Sequence, residues 1–131
     1  MMQGQVFDGC MPVFPIEKPP LVLVGVCASG KTTISRLLNA QGIRARSIAQ
    51  EHSSVQNLFR HGEASLVVLL CADWESVHRR RRLSFDREFY RTEWRRLSQA
   101  RQEANLVVHT DMFTAVEVAQ IVAKWWKSWT G

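Results

Sequence analysis

With 131 residues, 46% of them hydrophobic, and a net charge of +5, the chain has the size and apolar content of one domain with its own core. No apolar run reaches the roughly 18 residues that a membrane span needs. Met1-Met2-Gln3-Gly4 also lacks the charged-then-apolar order of a secretory leader, so a cytoplasmic protein without a membrane partner is expected. Three widely spaced cysteines, Cys10, Cys27 and Cys71, form neither a disulfide framework nor a zinc knuckle by spacing, and read as reduced thiols.

Residues 1–20 hold all four prolines and no periodic pattern, as expected of a surface arm, so the folded domain is expected over 21–131. Leu21-Val22-Leu23-Val24 is an unbroken aliphatic run ending at a glycine, the pattern of a parallel strand buried on both faces. Thr32 to Gln41 carries Ile34, Leu37 and Leu38 at helical spacing and stops at Gly42. A short strand is expected over 43–48. Ser53-Ser54-Val55-Gln56 has capping-box order and predicts a helix with Val55, Leu58 and Phe59 on one face, ended by Gly62. Leu66 to Cys71 is the most apolar run and predicts a second central strand, followed by helices over about 75–82 and 86–103. Leu106 to His109 reads as the last strand, and Thr114-Ala115-Val116-Glu117 as the capping box of the final helix. This alternation predicts an α/β three-layer sandwich around a small, mostly parallel sheet of about four strands.

The chemistry is concentrated in Gly25-Val26-Cys27-Ala28-Ser29-Gly30-Lys31-Thr32, which fits G-x-x-x-x-G-K-[ST], the Walker A pattern, at every fixed position. Glycines at both ends let the backbone turn sharply, its N–H groups converge on a phosphate, and the helix that follows adds the positive end of its dipole. Lys31 would neutralise phosphate oxygens and the Thr32 hydroxyl would ligate Mg²⁺, with Thr33 continuing the cradle. ATP or GTP with Mg²⁺ is the expected ligand.

On these residues the chain resembles the P-loop NTPases. Its C-terminal half is similar to the group that includes adenylate, thymidylate and shikimate kinases, over roughly residues 21–126. The resemblance rests there on Leu69 to Glu75 leading to Arg79 and Arg80, on an arginine-dense lid-like segment at about 79–95, and on Val107-Val108-His109-Thr110-Asp111 before the last helix. It implies that Arg80 stacks on a nucleobase, that Thr110 and Asp111 close the base pocket, and that Arg101 is aimed at substrate. The acceptor-binding segment and the Asp-Arg pair of that group are missing between Gln41 and Leu66, where Ile48-Ala49-Gln50-Glu51-His52 stands instead.

Two carboxylates compete for the magnesium role. Glu51 would emerge at the carboxyl end of the 43–48 strand if that strand lies beside the glycine-loop strand, and Asp73 follows the second central strand. His52, as an imidazole able to take or give a proton, is a candidate to position an acceptor, against a solvated or structural role.

Arg87, Arg91 and Arg95 share one helix face, suited to clamping phosphate, with a solvated face paired to Glu88 and Glu93 as the alternative. Lys31, His52, Arg87 and Arg91 are thus the catalytic candidates. Phe85, Phe89, Tyr90 and Trp94 beside the arginines allow a nucleic-acid reading, which their core-like helical spacing disfavours. Trp125, Trp126 and Trp129 read first as core and second as a homodimer patch. Two functions remain: a small kinase-like phosphotransferase acting on a small-molecule acceptor, and a nucleotide-binding regulatory module without fast chemistry.

Overall fold

The structure is a computed structural model that describes residues 18–81 and 86–130. Four strands, β1 (Leu21–Gly25), β2 (Ala45–Ser47), β3 (Leu66–Cys71) and β4 (Leu106–His109), form one all-parallel sheet in the order β2-β1-β3-β4. The helices are α1 (Lys31–Ala40), α2 (Trp74–Arg81), α3 (Arg87–Arg96), α4 (Ser98–Glu103) and α5 (Ala115–Ser128). The two interior strands, β1 and β3, are the two unbroken apolar runs, because a strand with neighbours on both edges and helices on both faces has no polar side to show.

Alternate residues of β1 feed two cores. Leu21 and Leu23 pack with Ile34 and Leu38 of α1 and with Val118 and Val122 of α5. Val22 and Val24 pack with Phe59, Val77, Leu97 and Ala100, so the sheet is covered on both faces. Trp125, Trp126 and Trp129 lie against the first core, and Trp126 is tied to the chain before β1 by its Nε1–H donating to the Pro19 carbonyl at 2.9 Å. Residues 1–17 of the expected arm lie outside the described residues, as do Arg82 and Phe85 of the lid-like segment. No helix is long and apolar enough to cross a membrane among the described residues.

Two local expectations change. Residues 53–62 form no α-helix. One 3₁₀ turn, Leu58–Arg60, stands there and another, Gln50–His52, just before it, because the buried Gln50 amide takes the backbone groups a helix would use: Nε2 donates to the Val55 carbonyl at 2.6 Å and Oε1 accepts the Phe59 N–H at 2.9 Å. Ser53 accordingly accepts from the Val55 N–H at 3.0 Å, a two-residue turn and not a helix cap. The helix expected over 86–103 is broken at Leu97, whose backbone leaves helical geometry at φ −94°, ψ 3° while its side chain is fully buried. At the C-terminus the Thr114 capping box is formed on both sides, with Thr114 N–H to Glu117 at 2.8 Å and the reverse bond at 3.1 Å.

Candidate functional site

The glycine loop leaves the carboxyl end of β1 between two neighbouring strands. A Cβ on Gly25 would sit 2.5 Å from the Leu70 carbonyl oxygen and 2.7 Å from Ser29 Oγ, so only glycine lets β1 and β3 close at this point. The loop then folds on itself through Ser29 N–H to Val26 O at 3.1 Å and passes through left-handed backbone at Ala28 (φ 63°) and Gly30 (φ 98°). α1 starts at Lys31 with no side-chain cap and no acidic residue in its first turn, which leaves its N-terminal dipole uncompensated by the chain itself.

β2 lies beside β1, and the chain leaving it faces the loop. Between them is a cleft of about 400 Å³, with Cys27, Ala28 and Gly30 to Thr33 on one wall and Ser47, Ile48, Ala49 and Glu51 on the other. Across it the Lys31 ammonium donates to Glu51 Oε2 at 2.7 Å and to the Gly25 carbonyl at 2.8 Å. Both side chains are withdrawn from solvent, 11% and 4% exposed, so this is a buried ion pair.

A second carboxylate reaches the same loop from α3. Glu93, in the middle of α3, is fully buried and accepts the Cys27 N–H at 2.9 Å. Its carboxyl is pushed above the ordinary carboxylate range by burial, a displacement that the Cys27 N–H bond opposes and the nearby Glu51 carboxylate reinforces. His52 joins the two: Nε2 lies 3.0 Å from Cys27 Sγ and 3.7 Å from Glu51 Oε2, and Nδ1 lies 3.5 Å from Glu93 Oε2. The contact of His52 within hydrogen-bond range is thus the Cys27 thiol, while Glu93 Oε2 stands near the ring without a hydrogen bond to it.

The remaining sequence candidates are placed as follows. Asp73 is exposed and accepts the Ser76 N–H at the start of α2 at 2.8 Å, a bond that lowers its pKa below the ordinary value. Asp111 accepts the Asp73 N–H at 3.0 Å. A smaller cavity of about 210 Å³ on the far side of the loop is lined by Ala28, Ser29, Gly30, Arg80, Thr110 and Phe113, among others. The Arg80 guanidinium donates to the Ala28 carbonyl.

Arg87 lies over the Trp74 ring at 5.3 Å, while Arg91 and Arg95 reach the exposed Glu88 at 3.6 and 3.5 Å. Arg101 lies over the Trp94 ring at 5.2 Å. The arginine of α3 that reaches the cleft residues is Arg96, donating to the Glu51 carbonyl at 3.4 Å.

Glu93 is the residue that spacing undervalues. Glu93 enters the sequence reading only as a partner on the alternative, solvated face, yet it sits on the stripe of Tyr90 and Leu97, three residues before and four after, and that position is the sign that finds it. Comparison with protein-family models and with curated proteins finds no match for the chain.

Proposed function

We propose that the cleft binds a magnesium nucleoside triphosphate and that the chain is a small kinase-like phosphotransferase. The observation that carries this reading is the juxtaposition of a Gly25–Thr32 phosphate-type loop, an uncapped helix N-terminus and a lysine held across the mouth by a carboxylate. Lys31 would leave Glu51 for the β- and γ-phosphates, exchanging one anionic partner for another. Backbone N–H groups of residues 28–33 would hold the phosphates in place.

The Thr32 hydroxyl and a Glu51 carboxylate oxygen line the same cleft and are hard oxygen donors, the type that suits Mg²⁺. When bound, that ion would neutralise charge on the β- and γ-phosphates. The smaller cavity with Arg80 and Thr110 fits the base side of the nucleotide, and His52, half-exposed beside Glu51 of the cleft wall, fits the acceptor side.

A second reading, a nucleotide-binding module without turnover, is favoured by one feature: between β2 and β3 stand two 3₁₀ turns and no helical acceptor-binding segment.

Calorimetric titration with Mg-ATP and Mg-GTP tests the binding claim. Saturable binding is expected, weakened about tenfold to a hundredfold in Lys31→Met, since a charge-assisted phosphate contact contributes about 1.5–3 kcal/mol. The reading fails if the wild-type protein takes up neither nucleotide or if Lys31→Met binds as well as wild type. Single-turnover release of phosphate to water or to added small hydroxyl compounds separates the two readings.

A further inference from the structure

The side chains packed under the glycine loop make a donor set that magnesium chemistry does not use. Cys27 Sγ, a His52 ring nitrogen and one carboxylate oxygen each from Glu51 and Glu93 lie within 4.8 Å of one another. They come from three separate places in the chain, the loop after β1, the 3₁₀ turn after β2 and the middle of α3, so no local spacing announces them.

Each carboxylate already has one oxygen engaged. Glu51 Oε2 takes the Lys31 ammonium and Glu93 Oε1 takes the Cys27 N–H. The other oxygen of each, Glu51 Oε1 and Glu93 Oε2, is buried without a hydrogen-bond partner among the described residues. Glu93 Oε2 points into the cluster, 3.5 Å from His52 Nδ1. Two buried carboxylates with orphaned oxygens, on side chains 4% and 0% exposed, are an arrangement that costs stability unless a cation neutralises it.

We propose that Cys27, Glu51, His52 and Glu93 form a tetrahedral site for a zinc-type divalent cation at the base of the glycine loop. Thiolate and imidazole select zinc over magnesium or calcium, which are held by oxygen donors. Zinc bonds of about 2.0–2.3 Å place tetrahedral ligands about 3.3–3.7 Å apart. Cys27 Sγ and His52 Nε2, at 3.0 Å, stand slightly closer than that range, and all four ligand atoms lie within 4.8 Å of one another, so closing on an ion takes side-chain adjustment.

His52, 43% exposed, gives the ion a way in, whereas the two carboxylates supply the buried wall. Cys27 binds as the thiolate and releases its proton. Glu51 keeps Oε2 for Lys31 and offers Oε1 to the metal. The site stands on this geometry and does not depend on nucleotide binding.

The test is uptake of Zn²⁺ alone, without nucleotide, by the chelator-stripped full chain in competition with a chromophoric chelator. One equivalent is expected, with affinity lowered at least tenfold in Cys27→Ser and in His52→Ala and unchanged in Cys71→Ser, whose thiol ends β3 outside the cluster. Co²⁺ added in place of Zn²⁺ should give a thiolate charge-transfer band in wild type and Cys71→Ser and none in Cys27→Ser. Should a variant prove unstable, the wild-type thermal midpoint with and without Zn²⁺ still decides, since a metal that binds only the folded state must raise it. Absence of stoichiometric Zn²⁺ uptake by wild type overturns the site. So does uptake by either Cys27→Ser or His52→Ala equal to wild type, or a cobalt band that survives in Cys27→Ser. Because no nucleotide is present, failure here leaves the nucleotide reading standing, and failure of nucleotide binding leaves this site standing.

Discussion

The two faces of the sheet are built on different rules. On the face covered by α1 and α5, the core runs from Leu21 and Leu23 to Ile34, Leu38 and Val122, and the buried polar residue of α1, Ser35, carries no charge and bonds within its own helix, to the Thr32 carbonyl at 2.9 Å. Beside the core of the other face, the buried set includes Gln50, Glu51 and Glu93, three polar side chains 0–3% exposed. The first face stabilises by removing apolar area from water and by close packing. The second surrenders part of that gain to hold charges against a loop, the kind of local conflict that concentrates at functional sites.

Single truncations on the two faces should therefore cost comparable amounts for different reasons, and a rescue experiment separates them. Lys31→Ala leaves Glu51 buried without its cation and should destabilise by about 3–5 kcal/mol, the range for breaking a buried pair. Leu38→Ala removes a fully buried side chain between α1 and the sheet and should cost about 2–5 kcal/mol through the lost contacts and the cavity left behind. Urea unfolding measures both. Neutralising the partner, Lys31→Met with Glu51→Gln, should recover most of the first loss, because no charge is then left alone. If the double variant is as unstable as Lys31→Ala, the charge distinction between the faces is wrong.

The same contrast explains what could be read before the structure. β1, β3, α1 and α5 were legible because their burial is periodic or continuous: Ile34 and Leu38 repeat at one helical turn, Thr114 and Glu117 close a capping box, and β3 is apolar throughout. The Gly25–Lys31 loop was legible because its glycines have local reasons, the close approach at Gly25 and the positive φ at Gly30. The placement of Glu51 followed from one topological step, β2 pairing with β1.

What was not legible depends on single side chains acting over long sequence distance. Gln50 converts an expected helix into turns by bonding residues five and nine positions on, and Arg96 reaches the same turn at Glu51, 45 residues away. Glu93 joins α3 to the loop across 66 residues. Periodicity sees neither.

Glu93 offers a way to sharpen the comparison through pH. Burial raises its carboxyl above the ordinary range, so the folded chain holds that proton at pH values where the unfolded chain has lost it. Between the ordinary carboxylate value and the raised one the folded state binds more protons, and stability from this group falls as pH rises, levelling off above the folded value. Glu93→Gln stays neutral and keeps an oxygen for the Cys27 N–H. In metal-free protein the variant's thermal midpoint relative to wild type should therefore climb with pH and then become constant. A difference flat over about pH 4 to 8 would mean that Glu93 ionises in the folded chain as it does in the unfolded one, and the second face would lose this mark of a desolvated carboxyl.

The smallest effects are expected on the surface arginines, and they bear on which of them serve the cleft. Arg91 meets Glu88 at 3.6 Å with both side chains more than 60% exposed, so Arg91→Ala should change stability by less than about 1 kcal/mol. Arg80 is also exposed, but its guanidinium donates to the Ala28 carbonyl and lines the smaller cavity against the loop. Under the proposed nucleotide reading that position is next to the ligand, whereas Arg91 is spent on its own helix. Arg80→Ala should accordingly weaken Mg-ATP about tenfold, the effect of losing one charge-assisted contact, while Arg91→Ala leaves affinity within about a factor of two. Calorimetry on the two variants under one buffer decides between two uses of the arginine-rich segment. The reverse result, a loss confined to Arg91→Ala, would assign the phosphate contact to the exposed face of α3 and return Arg80 to a purely structural contact with the loop.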